Sequence, residues 1–158
     1  MEDLLDFKGF SNELPGIRQQ PAIGKELCRH SPVSNHNKRH SGQILVVDDE
    51  KSIQELLKAL LTVMGYEVVS AGSGHEGLHL FLKNQIELVL TDLNMPGMDG
   101  FSFASHIKEK SPDTPVVLIT GLEKRAVDEN LVRGCIDSVL FKPFGIEDLQ
   151  KTVQGMVG

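Results

Sequence analysis

The chain has 158 residues, 40% hydrophobic and 24% charged, with a formal net charge of −6, which leaves room for one domain of about 100 to 150 residues and an appendage. Aromatic residues make up 5% and tryptophan is absent, so no stacking platform for single strands is offered, and the acidic balance excludes direct nucleic-acid binding as an expectation. Cys28 and Cys135 are too few and too distant for a disulfide framework, and the acidic N-terminus, with no run of roughly 18 apolar residues, suits neither signal peptide nor membrane span; a cytoplasmic protein without membrane insertion is expected.

Residues 1–42 carry five acids and six bases, three histidines and three prolines. The stretch "CRHSPVSNHNKRHSG" has little to bury and reads as a disordered N-terminal extension or linker. Leu4, Leu5, Phe7 and Phe10 could line a short turn of helix, but one so brief is marginal in water. His30, His36 and His40 are irregularly spaced in this polar tract and read as solvated linker, not a metal tract.

From Gln43 the pattern changes. The runs "QILVV", "YEVVSA", "IELVLT", "PVVLIT" and "DSVLF" are short and β-branched, as strands of a parallel sheet covered on both faces must be. A helical stretch follows each. In "KSIQELLKALLTVM" the apolar residues Ile53, Leu56, Leu57, Leu60, Leu61 and Met64 recur at spacings of three and four, and Gly65 supplies a stop. Five strands alternating with five helices over 43–158 predict a doubly wound α/β fold with right-handed crossovers, for which 2-1-3-4-5 is a known strand order.

In such sheets the site forms beyond the carboxyl ends of the strands. Asp48, Asp49 and Glu50 follow the first predicted strand and Asp92 the third. Thr120 and Gly121 follow the fourth, and Lys142 with Pro143 the fifth. Any one of the acids or the threonine could be a helix cap. Adjacent Asp48 and Asp49 exceed what one cap uses, and a lysine at a strand end is costly without an anion nearby. Carboxylates converging beside a lysine suit Mg²⁺ with phosphate oxygens, and Asp92 is the best placed nucleophile for an aspartyl-phosphate.

Two decoys share the segment. "GSGHEG" at 72–77 matches a dinucleotide-binding fingerprint, but too few strands follow for a two-half fold and the acids would have no role. "HEGLH" matches a zinc-protease motif, yet Gly77 weakens the helix and no third ligand is at hand, so His75 and His79 read as surface histidines. Asp99 before Gly100 reads as a cap for the third helix.

Through "LVVDDE", "LTDLNMPGMDG", "LITG" and "LFKPF", in that order, residues 43–158 resemble the receiver domain of two-component response regulators. The resemblance implies a (βα)5 flavodoxin-like fold and a signalling role. Asp92 would be the phospho-acceptor. Mg²⁺ would be held by Asp49, Asp92 and the backbone carbonyl of Asn94, with Asp48 acting through water. Lys142 would pair with the phosphoryl oxygens ahead of a cis Pro143, and Thr120 would swing toward them, with Gly121 leaving the phosphate approachable.

The implied donor is a sensor histidine kinase or histidine phosphotransfer protein, met through the first helix at Leu56 or Leu57 and the loops around Asp92. The implied output surface is the fourth helix, fifth strand and fifth helix, toward an unknown downstream protein or a homodimer partner. Val139 stands where many receivers have a switching aromatic, so a smaller shift of Thr120 and of the loop and helix after the fourth strand is expected. The alternatives are a haloacid-dehalogenase-like aspartyl-phosphate phosphatase, for which a DxDx motif and cap are lacking, and a receiver that works without phosphorylation. The sequence ends soon after the fifth predicted helix, so no output domain is expected to follow.

Overall fold

The computed structural model describes residues 42–122 and 134–157, all within one unit spanning Asn37–Gly158. The linker, its histidines, the Leu4–Phe10 turn, Cys28 and most of the fourth predicted helix lie outside the described residues. The chain runs β1 (Gln43–Val47), α1 (Lys51–Val63), β2 (Glu67–Ala71), α2 (Gly74–Lys83), β3 (Ile86–Asp92), α3 (Gly100–Lys110), β4 (Val116–Thr120), β5 (Ser138–Phe141) and α4 (Ile146–Met156). The last of these is the fifth helix of the sequence reading. All four strand pairings are parallel, in the order β2-β1-β3-β4-β5. The expected fold is the one observed.

Alternation along each strand explains the two apolar layers, because successive side chains leave a strand on opposite faces. Leu45 and Val47 of β1, Val89 of β3, and Val116 and Leu118 of β4 join Phe103, Ala104 and Ile107 of α3 on one face. Ile44 and Val46, Leu88 and Leu90, Val117 and Ile119, and Leu140 of β5 join Leu57 and Leu61 of α1 and Leu149 and Val153 of α4 on the other. Each such side chain removed from water contributes about 1.5–3 kcal/mol before the entropy cost of ordering it. The buried runs are continuous because both layers are filled.

Helix ends follow local chemistry. Ser73 caps α2 by accepting from the Glu76 N–H, and Asp99 caps α3 by accepting from Ser102 N–H at 2.7 Å, as expected of it. α1 begins after Glu50 with no side-chain cap. Neither Asp48 nor Asp49 therefore serves as its cap.

Candidate functional site

β1 leads out to β2 on one side of the sheet while β3 lies on its other side, so the order reverses between β1 and β3 and a crevice opens beyond their carboxyl ends. Asp48 leaves β1 there and Asp92 ends β3. Lys142, just past β5, reaches across with its ammonium 2.7 Å from Asp92 Oδ1 and 3.5 Å from Asp48 Oδ2. The costly lysine has its anions.

One local turn recurs at three strand ends. Asp48 Oδ1 accepts from the Glu50 N–H at 2.8 Å, Asp92 Oδ2 from the Asn94 N–H at 2.7 Å, and Thr120 Oγ1 from the Leu122 N–H at 3.0 Å. In each, a short polar side chain folds over its own backbone two residues on, which bends the chain away from the sheet. The side-chain oxygens stay at the sheet edge. A backbone bond from Lys142 N–H to the Thr120 carbonyl, 2.7 Å, ties the ends of β4 and β5 together.

Asp48 is only 1% exposed, and burial holds its carboxyl above the ordinary value of 3.8; the Asp92 charge adds to this, while the Glu50 N–H and Lys142 oppose it. Burial acts to lower the Lys142 ammonium, but the hydrogen bond to Asp92 and the charges of Asp48 and Asp92 outweigh it, so it sits above its ordinary 10.5. Two carboxylates, Asp48 and Asp92, thus face one ammonium, with Asp49 exposed on the loop beside Asp48. That excess of hard oxygen donors suits a divalent cation of the Mg²⁺ type, which is bound through one or two carboxylates and keeps other positions for water or phosphate oxygens. Among the described residues no three acidic, imidazole or thiol side chains already form a closed metal cage.

Of the residues singled out by sequence, Asp48, Asp92 and Lys142 are in contact, and Thr120 is one strand away from Asp92, on β4. Asp49 and Asn94 are exposed on the same loops. The Lys142–Pro143 peptide is cis, as the resemblance implied. A Cβ placed on Gly121 would meet nothing within 4 Å, so packing does not require glycine there. Val139 packs into the layer containing α3, and Phe141 is half-buried beside Thr120 in the register. Leu56 is 49% exposed, whereas Leu57 is fully buried in the other layer; the expectation that either could meet a donor is corrected, and only Leu56 is accessible.

The decoys have other employment. Glu76 Oε2 accepts from the Gly72 N–H at 2.8 Å at the start of α2, while His75 and His79 are exposed on that helix. Gly77 sits where a Cβ would press on Phe103 and Val47 at 3.0 Å, so it serves helix packing. One residue escaped the sequence reading altogether: Gln54 of α1 donates from Nε2 to the Asp48 carbonyl at 2.7 Å. Its signal was a polar side chain in line with Leu57 and Leu61 on an apolar stripe.

The family model for the response regulator receiver domain matches residues 44–154. Among curated relatives, the chain is 34% identical over 115 residues to a probable transcriptional regulator ycf27 of Porphyra purpurea, covering 73% of this chain and 47% of that one. It is 35% identical over 113 residues to the regulatory protein AtoC of Escherichia coli, covering 71% and 24%. The chain spans about half the length of the ycf27 relatives, or less. Among solved structures, the response regulator TrrA of Thermotoga maritima in complex with Mg²⁺ and BeF is similar with a TM-score of 0.67 and 35% identity, covering 73% of this chain and 98% of that one. The chemotaxis protein CheY4 of Vibrio cholerae gives 0.68 and 31%, with the same coverage.

Proposed function

The chain belongs to the response regulator receiver family of two-component signalling, and from that membership we propose that Asp92 accepts a phosphoryl group from a phosphohistidine on a sensor kinase or phosphotransfer protein. The observation that carries this is the Asp92 carboxylate itself, held at 2.7 Å by Lys142 Nζ on one oxygen and at 2.7 Å by the Asn94 N–H on the other. Both bonds fix its direction without closing it off.

An Asp92 oxygen attacks the phosphorus as the phosphorus–nitrogen bond breaks, the bonding pair returns to the imidazole, and that nitrogen takes up a solvent proton. Phosphoryl transfer asks for alignment and charge stabilisation more than covalent help. Asp49, Asp92 and the Asn94 carbonyl would hold Mg²⁺, with Asp48 helping through water, and the ion would supply neutralisation of the converging negative charge. Lys142 follows the charge from the carboxylate onto the phosphoryl oxygens. The Thr120 hydroxyl accepts from Leu122 N–H and keeps its own proton to donate, so it can bond to a phosphoryl oxygen and draw the following loop with it.

The aspartyl-phosphate then biases the partner surface, which we assign to the segment after β4, β5 and α4, toward a downstream protein or a second copy of the chain. The role is signalling without turnover of a substrate, in the cytoplasm, with 43–158 as the receiver and 1–42 as linker. TrrA bound to Mg²⁺ and BeF supports the metal assignment by similarity. The test is incubation with Mg²⁺ and acetyl phosphate, followed by intact mass. One phosphoryl group per wild-type chain is expected, and none at this site in Asp92→Asn. Continued release of phosphate over many turnovers would instead favour a phosphatase, and no gain of mass a receiver that works unphosphorylated.

A further inference from the structure

Gln54 occupies the second turn of α1 at the position where the helix's buried stripe, Leu57 and Leu61, would call for an apolar residue. It is half-buried, and its amide reaches back over the β1–α1 loop to the backbone carbonyl of Asp48 at 2.7 Å. That carbonyl belongs to the peptide joining Asp48 to Asp49. The Asp48 N–H donates to the Ala71 carbonyl at 3.2 Å, and Asp48 Oδ1 accepts from the Glu50 N–H at 2.8 Å. Three hydrogen bonds therefore hold the loop from the β2 side, from within, and from α1.

The contributions differ in kind. The bond to Ala71 continues the sheet, and the bond to Glu50 bends the loop, whereas the bond from Gln54 acts directly on the carbonyl of the Asp48–Asp49 peptide. Asp49 is exposed, and among the described residues no hydrogen bond or ion pair holds its side chain, so the peptide before it sets the direction in which its carboxylate leaves the loop. A ligand held in this way binds well only while its support is intact, because a misplaced carboxylate must be ordered at the moment of binding.

We propose that Gln54 is a positioning residue for the acidic pocket, presetting the Asp48–Asp49 peptide so that both carboxylates meet a divalent cation together. This rests on the reading of the pocket as a Mg²⁺-assisted phosphoryl acceptor. Gln54→Met keeps the length and apolar packing of the side chain and deletes the donor. Mg²⁺ affinity, measured by calorimetric titration of the full chain, is expected to fall roughly tenfold. The melting temperature without metal should stay at the wild-type value, and the phosphorylation rate from acetyl phosphate should return to wild type at saturating Mg²⁺.

Unchanged Mg²⁺ affinity in Gln54→Met overturns the proposal. So does an affinity loss matched by an equal loss of folded protein, or a rate that stays low at saturating Mg²⁺, since either marks a general structural role. A wild-type chain that binds no Mg²⁺ overturns the reading of the pocket itself, which keeps the two failures apart.

Discussion

Asp48 carries an electrostatic burden that its neighbours only partly relieve. Burial raises its carboxyl above 3.8, and one ammonium is shared with Asp92. A carboxyl raised in the folded state binds its proton more readily there than in the unfolded chain. The resulting stability is fully present below 3.8 and is lost as pH rises through the folded value above it. In metal-free solution, the urea midpoint of wild type relative to Asp48→Asn should therefore rise as pH is lowered from 7 toward 4. A difference that stays flat or moves the other way would refute the burial argument. The acids and the lysine were legible because each follows a strand directly, where topology alone puts it at the sheet edge. Gln54 was not, because a glutamine inside a helix looks solvated until its partner, a carbonyl six residues earlier, is seen.

At the level of elements, the helical spacing gave α1 its extent but blurred its register. Leu56 and Leu57 are adjacent and equally apolar, and only the angle at which α1 lies on the sheet buries the second and exposes the first. Glycines tell a similar story. Gly77 looked like a weak point in α2, whereas a Cβ there would meet Phe103 and Val47 at 3.0 Å. Gly100 opens α3, and a Cβ there would collide with the Asp92 carbonyl oxygen and stand 2.9 Å from Leu118 Cδ1. The first neighbours are side chains that can give; the second is backbone next to the acceptor. Gly100→Ala should thus cost about 3 kcal/mol in urea unfolding. Gly77→Ala should cost about 1 kcal/mol or less, because alanine's helix preference offsets the crowding. Equal losses in the two variants would mean that the close approach of α3 to β3 does not set the demand for glycine.

For the molecule as a whole, the question is whether residues 43–158 suffice as the receiver. Among the described residues, both faces of the sheet are covered from within this segment, by α2 and α3 on one side and α1 and α4 on the other. The edge away from the acidic pocket is pinned as well. Lys108 of α3 bonds to Asp137 at 2.7 Å and to the Thr114 carbonyl at 2.9 Å, and the same Asp137 oxygen accepts from the Val116 N–H at 2.7 Å. At the start of β1, Gln43 N–H donates to the Gln85 carbonyl at 2.8 Å, and Gly42 fits against Glu87 where a side chain would clash. A chain beginning at Gly42 keeps each of these contacts. Its melting temperature and its Mg²⁺-dependent labelling at Asp92 should match those of the full chain, read by calorimetry and intact mass. A stability loss of more than about 2 kcal/mol, beyond what surface deletions ordinarily cost, would show that residues before Gly42 complete the domain. Weaker labelling with unchanged melting would place them beside the acceptor site instead.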